Sequence, residues 1–144
     1  MVSEEMNSMV EYANPQVEQM VNNIVGNPGY IAIDDSDIQT TFDGMCVNAI
    51  TINVVGRNNG CDAFIRAIDI PWSEVSKDLA RQGKSIKAAM AYFICPKSAP
   101  ITMAEIAAFS EWISRHEEEF PNLIWGVQAD EGEKELIVEL FYGV

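Results

Sequence analysis

Positive charge is scarce in this sequence. Nine lysines and arginines stand against 22 aspartates and glutamates in 144 residues, for a formal net charge of −13. Such a chain repels phosphate backbones and anionic headgroups, which excludes nucleic acid and membrane surfaces as its partners. Histidine is scarcer still. His116 is the only one, and Phe120 stands where a helical i+4 ligand would be, so no metal site is expected. The three cysteines, Cys46, Cys61 and Cys95, are odd in number and far apart. They read as small buried residues in a reducing compartment, not as a disulfide framework. No run approaches the roughly 20 apolar residues of a membrane helix. The start, Met1-Val2-Ser3-Glu4-Glu5, is acidic and unlike a signal peptide. A cytoplasmic protein is expected. Phosphate-cradling glycines are also missing. Gly56-Arg57-Asn58-Asn59-Gly60 has neither the Gly-x-Gly-x-x-Gly spacing nor the Gly-Lys-Ser/Thr ending that phosphate binding requires.

What is present suits one globular domain. A chain of this length buries roughly 68–70% of its unfolded surface. Apolar residues recur every three or four positions from Val2 through Met6, Met9, Val10, Ala13, Val17, Met20 and Val21 to Ile24. Asn14-Pro15 breaks the stripe as a cap followed by a first-turn proline, so residues 15–25 are expected as the helix and the first dozen as an arm. Met6, Met9, Met20 and Ile24 form a candidate interface, because a methionine-rich stripe with nothing to cover it suits a second copy. A homodimer follows from that reading.

Downstream, Met45–Val55 is rich in Val, Ile and Thr and reads as a strand. Cys61, Phe64, Ile65 and Ile68 form a helical face that Ile70-Pro71 should end. Trp72, Val75 and Leu79 make a second, shorter stripe. Ile86–Cys95 alternates as a strand. Thr102-Met103-Ala104-Glu105 is a capping box. The helix it opens turns Ile106, Phe109, Ile113 and Phe120 inward, with Trp112 on its flank. Asn122–Ala129 is a third long strand. Asp130-Glu131-Gly132-Glu133 reads as a hairpin turn, and Glu135–Tyr142 as the last strand. The expected class is α+β: a β-α-β-α-β-β mixed four-stranded sheet with two main helices on one face, preceded by an N-terminal helix. It divides into an arm and helix over 1–25, an acidic loop and short helix over 26–43, and an α/β sandwich over 44–144.

The most distinctive stretch is Gly26-Asn27-Pro28-Gly29-Tyr30-Ile31-Ala32-Ile33-Asp34-Asp35-Ser36-Asp37-Ile38. Gly26 suits a helix stop, and Asn27-Pro28-Gly29 a turn. Asp34 and Asp37 share a face of the helical turn that follows. Asp34, Asp35 or Ser36 can equally be plain N-caps. This order resembles the FtsZ/tubulin superfamily. There a long central helix ends in a Pro-Gly turn, and an Ile-Asn-x-Asp-x-x-Asp loop and a short helix follow. The two family aspartates fall on Asp34 and Asp37, while the family asparagine is replaced by Ala32. The elements after the loop resemble the C-terminal domain of the cell-division GTPase FtsZ, over about residues 14–144.

In the family this loop enters the nucleotide site of the next subunit, where its carboxylates help position water. The resemblance therefore implies an interaction loop at Asp34, Asp35 and Asp37. The family's glycine-rich phosphate loop has no counterpart, so no catalytic residue, cofactor or GTP binding is expected of this chain alone. A non-catalytic module that self-associates or engages an FtsZ-type filament is the leading expectation. A small-molecule sensor or enzyme with a ligand between subunits is an alternative, as is an activator offering Asp34 and Asp37 in trans.

Overall fold

The computed structural model describes residues 10–27 and 29–144. Its centre is a five-stranded mixed sheet in the order β1-β2-β5-β3-β4. The strands are β1 (Glu11–Tyr12), β2 (Cys46–Val54), β3 (Ala88–Pro96), β4 (Leu123–Asp130) and β5 (Leu136–Gly143), and the helices are α1 (Pro15–Val25), α2 (Asp35–Thr41), α3 (Cys61–Arg81) and α4 (Met103–Arg115). β5 runs antiparallel to both β2 and β3, whereas β1 with β2 and β3 with β4 are parallel.

β3 explains the arrangement. Its residues are buried on both faces, and alternate ones serve two cores. Ala89, Ala91, Phe93 and Cys95 face Phe64, Ile68 and Trp72 of α3 and Phe109 and Trp112 of α4. Ala88, Met90 and Tyr92 face Val17, Val21 and Ile24 of α1 together with Ile33, Ile38 and Phe42. A strand covered on both sides needs no polar phase, which accounts for its near-continuous apolar run.

The α+β class and the two main helices on one face are as expected. The sheet carries a fifth strand where four were expected: the two-residue β1, which lies in the stretch expected as an arm. Asn14 is extended at φ −160°, its side chain accepts from the Val17 N–H at 3.0 Å, and Pro15 occupies the first helical turn. The helix therefore starts at 15, leaving Glu11 and Tyr12 free to pair with Cys46 and Val47.

Three other expectations are corrected. Pro71 does not end a helix; it lies inside the 21-residue α3. A mid-helix proline forfeits one hydrogen bond, at about 3 kcal/mol. Phe64, Ile68, Trp72 and Leu79 nevertheless bury on one continuous face, and that packing holds both halves in line. Asp130–Glu133 is not a hairpin turn either. β5 passes β3 and pairs between β2 and β3, so β4 and β5 are not neighbours. Trp112 is not on a flank: it is 1% exposed, with its Nε1 donating to Asp69 Oδ1 at 2.8 Å.

Candidate functional site

The acidic tip is built by local chemistry. The Asn27 side chain accepts from the Gly29 N–H at 2.9 Å. Gly29 has φ +54°, and a Cβ there would lie 2.6 Å from the Val127 carbonyl oxygen, so only glycine fits without strain. Tyr30 and Ile31 both donate to that carbonyl, and Val127 N–H donates back to Ile31 at 3.0 Å. A single antiparallel bridge, Ile31 to Val127, clips the segment to the outer edge of β4. Opposite it, Gly126 leaves room for Ile31, Ile33 and Tyr92, each 2.8 Å from where its Cβ would be.

Asp34 and Asp37 then form a reciprocal capping box. Asp37 N–H donates to Asp34 Oδ1 at 2.9 Å, and Asp34 N–H donates to Asp37 Oδ2 at 3.0 Å. Both are exposed, as is Asp35, and all three cluster at the start of α2. Among the described residues the second oxygen of each capping carboxylate has no partner. The tip is thus an exposed acidic knob whose two spaced aspartates also hold a helix start.

The candidate interface fares differently. Met6 and Met9 lie outside the described residues. Ile24 is 2% exposed against its own sheet, and Met20 is half-buried on the same core. The cover that the sequence reading sought in a second copy is supplied at these two positions by the second face of the chain's own sheet.

Several polar clusters escaped sequence reasoning because their members are far apart in the chain. Arg57 Nε and Nη2 donate to Glu105 Oε2 and Oε1 at 2.7 and 2.6 Å, while its Nη1 and Nη2 also bind the carbonyls of Ala99 and Pro100. Glu105 is buried, which alone would raise its pKa. The Arg57 and Thr102 hydrogen bonds and the guanidinium charge outweigh burial and hold it below the ordinary range. The 56–60 loop is therefore a clasp, not a phosphate site.

In the seam between α3 and α4, His116 Nδ1 lies 2.6 Å from Glu119 Oε2, and Trp72 Nε1 donates to Glu119 Oε1 at 3.1 Å. Burial opposes the charge on Glu119, but hydrogen bonds from Ser76, His116 and Trp72 prevail and lower its pKa. These carboxylates are occupied by structural donors. Among the described residues no group of three or more His, Cys, Asp or Glu could hold a metal ion, and no helix is long and apolar enough to cross a membrane.

Glu139 stands apart. It sits mid-strand in β5 between Thr51 and Tyr92, and among the described residues its side chain makes no hydrogen bond or ion pair. Burial, with a contribution from Glu133, raises its pKa to about 7.

The fold so described is FtsZ/tubulin-like. No family model matches the chain, and no curated protein matches it. Solved structures do. An empty FtsZ dimer from M. jannaschii aligns at TM-score 0.57 and 16% identity, covering 89% of this chain and 35% of that one. A GTPγS-form protofilament of TubZ from Bacillus thuringiensis serovar israelensis aligns at TM-score 0.58 and 10% identity, covering 89% and 34%. The chain thus spans about a third of the length of the structures it matches.

Proposed function

We propose that this chain is a non-catalytic assembly module, which self-associates and engages an FtsZ-type filament through its acidic tip. The observation that carries the reading is one of coverage. Nearly the whole chain takes the fold of one third of proteins solved as a dimer and as a protofilament. A domain with that fold and no phosphate loop is suited to meeting a subunit, not to turning over its nucleotide.

The tip supports this. Three exposed carboxylates within four residues focus negative charge at one place, which favours a cationic or metal-nucleotide surface. Water positioning in trans is less well served, since Asp34 and Asp37 each commit an oxygen to the cap. The reading is tested by pelleting the protein with GTP-assembled FtsZ filaments and by titrating it with GTP in a calorimeter. Saturable co-pelleting without GTP binding by the chain alone is expected. Micromolar GTP binding would overturn the non-catalytic reading, and failure to pellet would overturn filament engagement.

A further inference from the structure

β4 is an edge strand with an unusual surface. Ala89 N–H donates to the Asn122 carbonyl at 2.8 Å, so the even-numbered backbone groups of this stretch face β3 and the odd-numbered ones face outward. Outward at 127, both groups are taken by Tyr30 and Ile31. Outward at 121 there is a proline, which has no N–H to offer. Between them Leu123 and Trp125 present outward N–H and C=O groups for which no partner occurs among the described residues. Beside this edge runs an apolar groove of about 320 Å³, walled by Ile106, Phe109 and Ile113 of α4 and by Phe93, Leu123 and Trp125 of the sheet. Trp125 is 38% exposed, which is high for a tryptophan stacked edge-on against Phe93.

Edge strands in soluble proteins are ordinarily blunted by charge, proline or a bulge within the strand. The other side of the sheet is guarded: Asn48 takes the Ala49 N–H at 2.8 Å with its own side chain, and exposed Thr51 and Asn53 follow. On β4 no charged residue occurs from Pro121 to Ala129, although the chain carries 31 charged side chains. Two copies at −13 each repel wherever their acidic surfaces meet. Along Leu123–Trp125 they meet without that cost, and an apolar groove is waiting beside the contact.

We infer that a second copy of this chain docks on β4, pairing Leu123 of each copy with Trp125 of the other, antiparallel about a two-fold axis at Ile124. The inference rests on the assembly reading and gives its self-association a surface. Pro121 and the occupied Val127 fix the register, because Leu123 and Trp125 are the outward positions between them with both groups to offer. Two such pairs exchange four hydrogen bonds. Each Trp125 then lies on the groove side beside Leu123 of the other copy, and the two tryptophans are diagonal neighbours at roughly 7–8 Å.

Sedimentation equilibrium from about 1 to 100 µM reads the outcome. The wild type is expected to dimerise. Trp125→Glu and Trp125→Lys, which place like charges diagonally across the axis, should each weaken the dimer at least about tenfold. Mixing the two variants should restore it as a heterodimer. Circular dichroism checks that they fold. Should either fail to fold, Leu123→Pro replaces it, because it removes an outward N–H at the first residue of the strand and leaves the β3 ladder intact. A dimer unaffected by both charged variants, or a mixture that stays monomeric, overturns this edge while leaving assembly through another surface standing. A monomeric wild type also overturns it and leaves the groove to a foreign strand; filament pelleting is then judged independently.

Discussion

Replacing Glu139 by glutamine is expected to stabilise the protein at alkaline pH and to do little in acid. The carboxylate sits mid-strand in β5 without a cation, and burial together with Glu133 raises its pKa from 4.5 to about 7. At roughly 1.4 kcal/mol per pH unit that displacement corresponds to about 3 kcal/mol. Access of water to the half-buried side chain trims it to about 2 kcal/mol. The sign follows from linkage. A carboxyl whose folded pKa is raised is neutral in both states below about 4.5, and there it costs nothing. As pH rises from there through about 7 the unfolded chain ionises first, and the folded state loses ground until Glu139 is charged in both. Glu139→Gln removes that loss. Thermal melts at about pH 8.5 should show a gain of about 4–8 °C, given about 2–4 °C per kcal/mol for a chain near this size. At about pH 4 the two proteins should melt together. Equal gains at both pH values, or destabilisation at pH 8.5, would refute the assignment of an unpaired, desolvated carboxylate.

The clasp predicts the opposite pH behaviour. Arg57→Ala leaves the Glu105 carboxylate buried without its cation and should cost about 3–5 kcal/mol in denaturant melts at neutral pH. Because the folded pKa of Glu105 is depressed, the clasp stabilises above about 4.5 and loses its value as pH falls through the folded pKa, so the cost should shrink in acid. Gly126→Ala puts a Cβ 2.8 Å from Ile31, Ile33 and Tyr92 and should cost about 1–3 kcal/mol. Its signature should be faster hydrogen exchange at the Tyr30 and Ile31 amides. Thr102→Ala removes a cap that accepts from Glu105 N–H at 3.1 Å and should cost about 1 kcal/mol, with filament pelleting unchanged.

The parts of the fold legible in the sequence are those fixed by neighbours within a few residues. The Asn14, Asp34 and Thr102 caps, the apolar run of β3 and the turn at Gly29 all belong to this group. What the sequence left out depends on distant partners. Pro71 carries a local signal to break, overridden by Trp72 packing on Phe120 and Tyr142. The closing strand could as well pair beside β4 as beyond β3, since Leu136–Gly143 supplies apolar residues to both faces; only the assembled sheet chooses. Glu105 was visible as half of a capping box, but its salt bridge spans 48 positions to Arg57. The Met20 and Ile24 stripe looked uncovered because its cover, Met90 and Phe141, belongs to strands whose second face periodicity could not assign. The unguarded edge of β4 was likewise hidden, for an apolar strand reads the same whether it lies at the centre of a sheet or at its rim.

The most direct test of the assembly reading is quantitative pelleting with GTP-assembled FtsZ filaments, comparing the wild type with Asp34→Ala/Asp37→Ala. The double change removes both halves of one capping box and should cost about 1–2 kcal/mol, leaving the protein folded. The account predicts saturable wild-type pelleting and a clear loss of affinity in the folded double variant. Identical pelleting of the two proteins, or a wild type that stays in the supernatant with every filament offered, would contradict it.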